Sequence, residues 1–246
     1  MSDLLLFLGV GLVGGVVNAI AGGAKLFVFP LLLASGLPPL AANATGTAGV
    51  WPAQLSAALV YRKELLADAM AILRRMLPAL LGSLVGAFAL IRSSEAAFLT
   101  LIPVLLAISV VAIVFGPRLT RMMQGWLPGR RLHAATALLL FACGVYGGYF
   151  GAGLGFMLIA VLSLSGSAYR MANAQKNMFA FTMNSVAIVP LSLSGLVDWR
   201  AAAGIIVGGL IGGAVGGSLT KVLPETPTRI AVAILGILLT ASFLLR

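Results

Sequence analysis

Apolar residues run along this chain in long blocks, separated by short polar or basic breaks. The blocks fall at roughly 4–22, 26–36, 40–61, 72–91 and 96–115, then 132–150, 152–166, 171–196, 201–220 and 229–245. They are too long and too glycine-rich for barrel strands, which would be about ten residues of alternating character, so helices must satisfy the backbone within lipid. The pattern predicts an all-α integral membrane protein built as a polytopic helical bundle. The blocks form two sets of five, divided by "GPRLTRMMQGWLPGRRLH", the longest polar and basic stretch. Residues 1–115 are therefore expected to form a first membrane repeat, 116–131 a basic cytoplasmic linker, and 132–246 a second membrane repeat.

The two halves carry a weak internal repeat. Gly11, Gly14, Gly15, Ala19 and Gly22 match Gly144, Gly147, Gly148, Ala152 and Gly155 at one constant offset. Ala42-Asn43-Ala44 matches Ala172-Asn173-Ala174 at an offset three residues smaller, which also carries Gly82 and Gly86 onto Gly212 and Gly216, and Glu95 onto Glu225. Duplication of this kind builds many secondary transporters. The second block of each half spans only roughly 17 to 22 Å as helix, against a hydrocarbon core of about 30 Å. If the first two blocks of each half form a hairpin that enters and leaves by one face, each half keeps three crossings and the halves are inverted. One face then receives Arg62, Lys63, Arg74, Arg75, Arg118, Arg121, Arg130, Arg131, Arg170, Lys221 and Arg229, and the other only Arg92, Arg200 and Arg246. The positive-inside rule favours this arrangement, with both termini periplasmic, over one in which residues 4–22 span fully.

Composition agrees with the pattern. The chain is 61% hydrophobic and 9% charged, and its net charge of +10 sits mostly in short loops, so it reports membrane orientation and not nucleic-acid binding. The first segment has no basic leader region, Asp3 being its only flanking charge, and is expected to be retained structure. A single cysteine, Cys143, and a single histidine, His133, leave no disulfide framework and no metal site. No HExxH, GxSxG or phosphate-binding glycine-loop pattern occurs, so neither an enzyme nor a cofactor is expected.

The chemistry centres on "NAIAGGAKLFVFP", residues 18–30. Non-helical backbone at membrane depth is tolerated only against protein or a water-filled cavity. Gly22-Gly23 permits a reversal of direction, and the helix beginning near Lys25 points unpaired N–H groups and a positive dipole end at the cavity. "GGYFGAGLG", residues 147–155, supplies the counterpart. For Gly82, Gly86, Gly208, Gly212 and Gly216 the preferred reading is close helix packing; for Gly22, Gly23, Gly153 and Gly155 it is a site. Lys25 and Lys176 lie inside apolar segments, where ionisable groups are costly and functional, although Lys176 could instead snorkel to the interface. Asp3, Glu64, Asp68, Glu95, Asp198 and Glu225 all fall near segment ends, which leaves no carboxylate for a cation or proton path. Two lysines, helix N-termini and amides such as Asn18, Asn43, Asn173, Asn177 and Asn184 suit a small oxyanion, while each amide could equally be an interhelical hydrogen bond.

The break after "NAIAGG" followed by "FPLLLASGLPPLAANAT", then "LSAALVYRKEL", and "GVYGGYFGAGLG" with "AQKNMFAF", resembles the sulfite exporter TauE/SafE family of bacterial membrane transporters. The resemblance covers nearly the whole chain and implies a duplicated helical bundle in the cytoplasmic membrane that moves sulfite, sulfonates such as sulfoacetate, or other small anions. Within it, Asn18, Gly22-Gly23, Thr45 and Lys176-Asn177 match family positions. Ala24-Lys25 stands where Gly or Ser is usual, and Gly46 where Asn often follows the Thr.

The expectation is a secondary transporter of a small organic or sulfur-containing oxyanion, working by alternating access between two glycine-broken hairpins. Lys25 and Lys176 would balance charge, the amides of residues 22–25 and 153–156 (Gly22, Gly23, Ala24, Lys25; Gly153, Leu154, Gly155) would bind oxygens, and Asn43, Thr45 and Asn177 would orient the solute, with Asn18 alongside. The expected partners are that anion, the bilayer and a coupling ion if one is used; a homodimer is an open option, and nucleic acid is not a partner. A cation carrier, or a membrane assembly protein that transports nothing, is the alternative.

Overall fold

A computed structural model describes residues 2–67, 69–126, 129–164, 167 and 169–222, together with positions 227, 230, 234 and 238. Ten helices and no strand occur among the described residues. They are α1 (Ser2–Ala21), α2 (Ala24–Ala34), α3 (Pro39–Leu59), α4 (Arg62–Ala67) and α5 (Ala69–Arg92), then α6 (Glu95–Trp126), α7 (Gly129–Tyr149), α8 (Leu154–Leu164), α9 (Tyr169–Leu193) and α10 (Trp199–Leu219). Nine of the apolar blocks each became one helix. The tenth, 229–245, falls almost wholly outside the described residues, as do Asp68, Glu225 and Arg229.

The breaks have local causes. Pro38 precedes α3 and Pro39 opens it, where a missing N–H costs nothing. Asp198 caps α10, its carboxylate accepting from the N–H groups of Arg200 and Ala201 at 2.9 and 3.0 Å. Glu95 Oε2 accepts from Leu40 N–H at 3.1 Å, so the first residue of α6 serves the start of α3. The basic stretch at 116–131 is helical through most of its described length: α6 continues to Trp126 and α7 begins at Gly129. The small helix α4, hidden in the sequence by its four charged or alanine positions, buries only Leu65.

Four helices, α5, the Glu95–Gly116 part of α6, α7 and α10, are long and apolar enough to cross a membrane. The chain is a multi-pass membrane protein. Helix α7, a hairpin arm in the inverted reading, is among those four. Helices α3 and α9 carry most of the buried polar side chains among the described residues, and they pack on each other and on α10 and α5 respectively.

The halves contact each other by exchange. Helix α1 packs most extensively on α10, and its counterpart α7 on α5, the counterpart of α10. Glycines make both contacts. A Cβ at Gly11, Gly15, Gly208, Gly212 or Gly216 would lie 2.0–2.6 Å from a carbonyl oxygen across the α1–α10 seam. One at Gly82, Gly86, Gly144 or Gly148 would lie 2.0–2.3 Å from a carbonyl oxygen across the α5–α7 seam. Lipid offers no hydrophobic drive for association, so dispersion between closely approached backbones has to hold each seam. The packing reading of Gly82, Gly86, Gly208, Gly212 and Gly216 therefore agrees with their surroundings.

Where α3 meets α9, repeat-equivalent positions face one another. Trp51 stacks on Phe181, with ring centroids 5.7 Å apart and planes within 4°. Asn184 Nδ2 donates to Gln54 Oε1 at 3.0 Å. Both pairs share the offset that relates Asn43 to Asn173. A position touching its own counterpart is the contact that a two-fold exchange of halves produces.

Candidate functional site

Each half opens with a helix that stops inside the protein. Helix α1 ends before Gly22, which turns the chain with φ +71°, and α2 starts at Ala24. Helix α7 ends at Tyr149, the chain turns through Gly151 and Gly153 with φ +79° and +69°, and α8 starts at Leu154. These values lie in the left-handed region that glycine tolerates and other residues resist. The two turns touch. Gly155 N–H donates to Gly22 O at 3.3 Å, and a Cβ on Gly22 would sit 2.2 Å from Gly155 Cα, so the reversals close on each other with no room for a side chain. Gly22 and Gly155 are themselves repeat equivalents.

The last carbonyls of a helix have no intrahelical partner and carry the negative end of its dipole. Both sets here meet an ammonium group. Lys25, 5% exposed at the start of α2, donates to Phe150 O just past the end of α7 and, at 2.9 Å, to Asn43 Oδ1. Asn43 Nδ2 in turn donates to Tyr149 O at 2.8 Å. Lys176, 1% exposed on α9, donates to Asn18 O and Ala19 O near the end of α1 at 3.0 and 2.9 Å. Its Nζ is turned inward to those oxygens, which decides against snorkelling. Each ammonium has three N–H donors and spends two on these partners.

Both lysines line one small cavity, about 20 Å³, with Asn18, Gly22, Val50, Gln54, Gly147, Gly151, Leu154, Gly155, Asn177, Ala180 and Asn184. That is space for about one water molecule. Among the described residues no carboxylate lines it, and no cluster of His, Cys, Asp and Glu could hold a metal. Asn177 is 1% exposed and neither atom of its amide has a hydrogen-bond partner. An amide so placed forfeits its hydration with no return.

Of the residues singled out by sequence, Asn18, Gly22, Lys25, Leu154, Gly155, Lys176 and Asn177 come together at the cavity. Asn43 stands one contact behind, bonded to Lys25. Thr45 is turned away: its Oγ1 accepts from Asp198 N–H at 2.9 Å and helps fix the start of α10. Gly153 packs on the Ser109 side chain, and Gly23 and Ala24 are buried in the turn without lining the cavity. Several tip amides are already bonded inside the protein. Gly22 N–H donates to Asn18 O, Leu154 N–H to Gly151 O, Gly155 N–H to Gly22 O and Phe156 N–H to Gly153 O.

Sequence reading missed the Gln54–Asn184 pair as a unit, although the repeat offset that carries Asn43 onto Asn173 also joins them. It also missed Ser109 and Tyr146. Both hydroxyls converge on Ala152 O, the carbonyl inside the second turn, at 2.6 Å each. Cys143 is buried on α7 and His133 Nδ1 lies 2.9 Å from Gly129 O, both away from the cavity.

The family pattern described as sulfite exporter TauE/SafE matches residues 7–243. A "Probable membrane transporter protein" of Haemophilus influenzae is 28% identical over 235 residues, 94% of this chain and 91% of that protein. The "Probable membrane transporter protein YfcA" of Escherichia coli K12 is 26% identical over 203 residues, 81% of this chain and 74% of that protein. No solved structure matches the chain. With broken helices meeting at a buried, ammonium-lined cavity and a match that spans both halves, this chain belongs to the sulfite exporter TauE/SafE family and is a membrane transporter.

Proposed function

We propose that the chain moves a small organic or sulfur-containing oxyanion, such as sulfite or a sulfoacetate-like sulfonate, across the bacterial inner membrane by alternating access. The observation that carries this reading is the pairing of Lys25 and Lys176 around one cavity in which no described carboxylate balances them. Two buried ammonium groups without a carboxylate partner, each offset only by the partial charge at a helix end, favour an anion between them. Each keeps one N–H donor beyond its carbonyl partners, and the Asn177 amide keeps both its donor and acceptor capacity. These groups are the solute ligands in this reading, and the bonded tip amides are secondary to them.

The cavity volume fits a closed state, since about 20 Å³ is far below the space a sulfonate needs. Loading then requires the seams or the Gly22–Gly155 contact to part, which is the motion that exchange of two similar halves provides. An inverted relation of the halves, with periplasmic termini, follows from the distribution of Lys and Arg in the loops. The test is a thermal-shift series on purified protein with sulfite, sulfoacetate, taurine, sulfate and carboxylates. A ligand at a hundred times its Kd stabilises by about 2.7 kcal/mol, which moves the melting temperature of a protein this size by several degrees. Selective stabilisation by one oxyanion is the expected result. Equal indifference to all of them removes the anion reading.

A further inference from the structure

Two of the three N–H donors of each lysine are spent on oxygens of the chain itself, whatever the third meets in the cavity. Lys176 faces two main-chain oxygens at the end of α1, and Lys25 faces a main-chain oxygen just beyond α7 and a side-chain amide oxygen. Oxygen atoms gathered at the end of a discontinuous helix are how secondary transporters coordinate a coupling alkali ion. Here an ammonium already stands in each such position. The bracing is reciprocal: a lysine of the first half holds the broken helix of the second, and a lysine of the second half holds that of the first. It is also not inherited from the duplication. The offset that relates Gly22 to Gly155 puts Leu158 opposite Lys25, and the one that relates Asn43 to Asn173 puts Gly46 opposite Lys176. Two unrelated positions thus deliver the same cation to the same kind of place.

We infer that Lys25 and Lys176 are tethered cations, which fill the carbonyl positions at the ends of the two broken helices so that the chain uses neither Na⁺ nor K⁺ there. The consequence for coupling rests on the transporter reading above; the cation positions themselves rest on geometry alone. Removing the Lys176 ammonium leaves Ala19 O without that donor, beside an Asn18 O that keeps only the Gly22 N–H, at a negative helix end, a position that suits a small alkylammonium ion.

The test uses the purified full chain. In Lys176→Ala, ethylammonium chloride raises the melting temperature by about 4 °C, whereas tetramethylammonium chloride, which has no N–H to donate, does not at equal ionic strength. Wild-type protein melts at the same temperature in NaCl, KCl and choline chloride. An equal response of the variant to both ammonium salts, or to neither, overturns the inference, and so does wild-type protein that is more stable in NaCl or KCl than in choline chloride. Lys25→Ala is read the same way if Lys176→Ala does not fold; if neither variant can be isolated, the wild-type comparison decides. The oxyanion series on wild-type protein is a separate measurement, so loss of one reading leaves the other standing.

Discussion

At Asn177 the amide is enclosed, faces the cavity and has no partner. A group in that condition lowers stability, by roughly 1–3 kcal/mol for a buried unsatisfied polar atom, and its removal recovers much of what the lost volume costs. Asn177→Ala should therefore change the unfolding free energy by no more than about 1 kcal/mol, while the thermal shift produced by the preferred oxyanion falls. A melting series with and without the anion separates the two effects, and an unchanged anion shift would remove Asn177 from the site. The lysines were legible in the sequence because a charge inside an apolar run has few innocent explanations. Their partners were not, since main-chain oxygens belong to every residue and only the fold selects Asn18, Ala19 and Phe150. Thr45 shows the converse: its family position is readable, yet its hydroxyl is spent on the start of α10. Ser109 gave no signal, being a small polar residue in a long apolar helix until Ala152 O is brought beside it.

Apart from the C-terminal end of α6, helix boundaries followed from the apolar blocks to within a few residues because Pro, Gly and capping residues mark them, as Pro39 and Asp198 do. Which glycines were seams and which were turns was partly legible: paired glycines four apart belong to seams, and glycines that interrupt a run belong to turns. The seams make a sharp prediction. An Ala Cβ at Gly212 would meet Leu12 O at 2.1 Å, so Gly212→Ala must push α1 and α10 apart, at a cost of about 1–3 kcal/mol by the scale of overpacked cores. Gly9→Ala on the same helix α1 meets nothing within 4 Å and should be neutral or slightly stabilising, given the better helix propensity of alanine. Melting of the two purified variants tests the contrast, and equal behaviour would mean that the seam yields freely. Helix α4 and the continuation of α6 through the basic stretch were illegible for the same reason: hydrophobic runs mark what lies in lipid, and short or charged helices extend outside it.

Across the whole molecule, the exchange of contacts between α1–α10 and α5–α7 was foreshadowed by a repeat visible mainly in small residues. The direction of each half across the bilayer rests instead on the loop charges. In spheroplasts against intact cells, a membrane-impermeant maleimide should label Ser94→Cys, beside Arg92, from the periplasm and Lys63→Cys only after the membrane is opened; Cys143, buried on α7, stays silent. Labelling of Lys63→Cys from the periplasm, with Ser94→Cys reached only after the membrane is opened, would reverse the orientation assigned to the first half. The stacked pair at the centre has a practical consequence. Trp51 lies flat on Phe181 and donates its indole N–H to Ser185 Oγ at 2.7 Å, and the other two tryptophans, Trp126 and Trp199, stand at the ends of α6 and α10. With those two replaced by phenylalanine, the remaining indole becomes a built-in optical gauge: its emission colour and quenching would follow, in real time and without any attached dye, how often the middle of the protein comes unzipped.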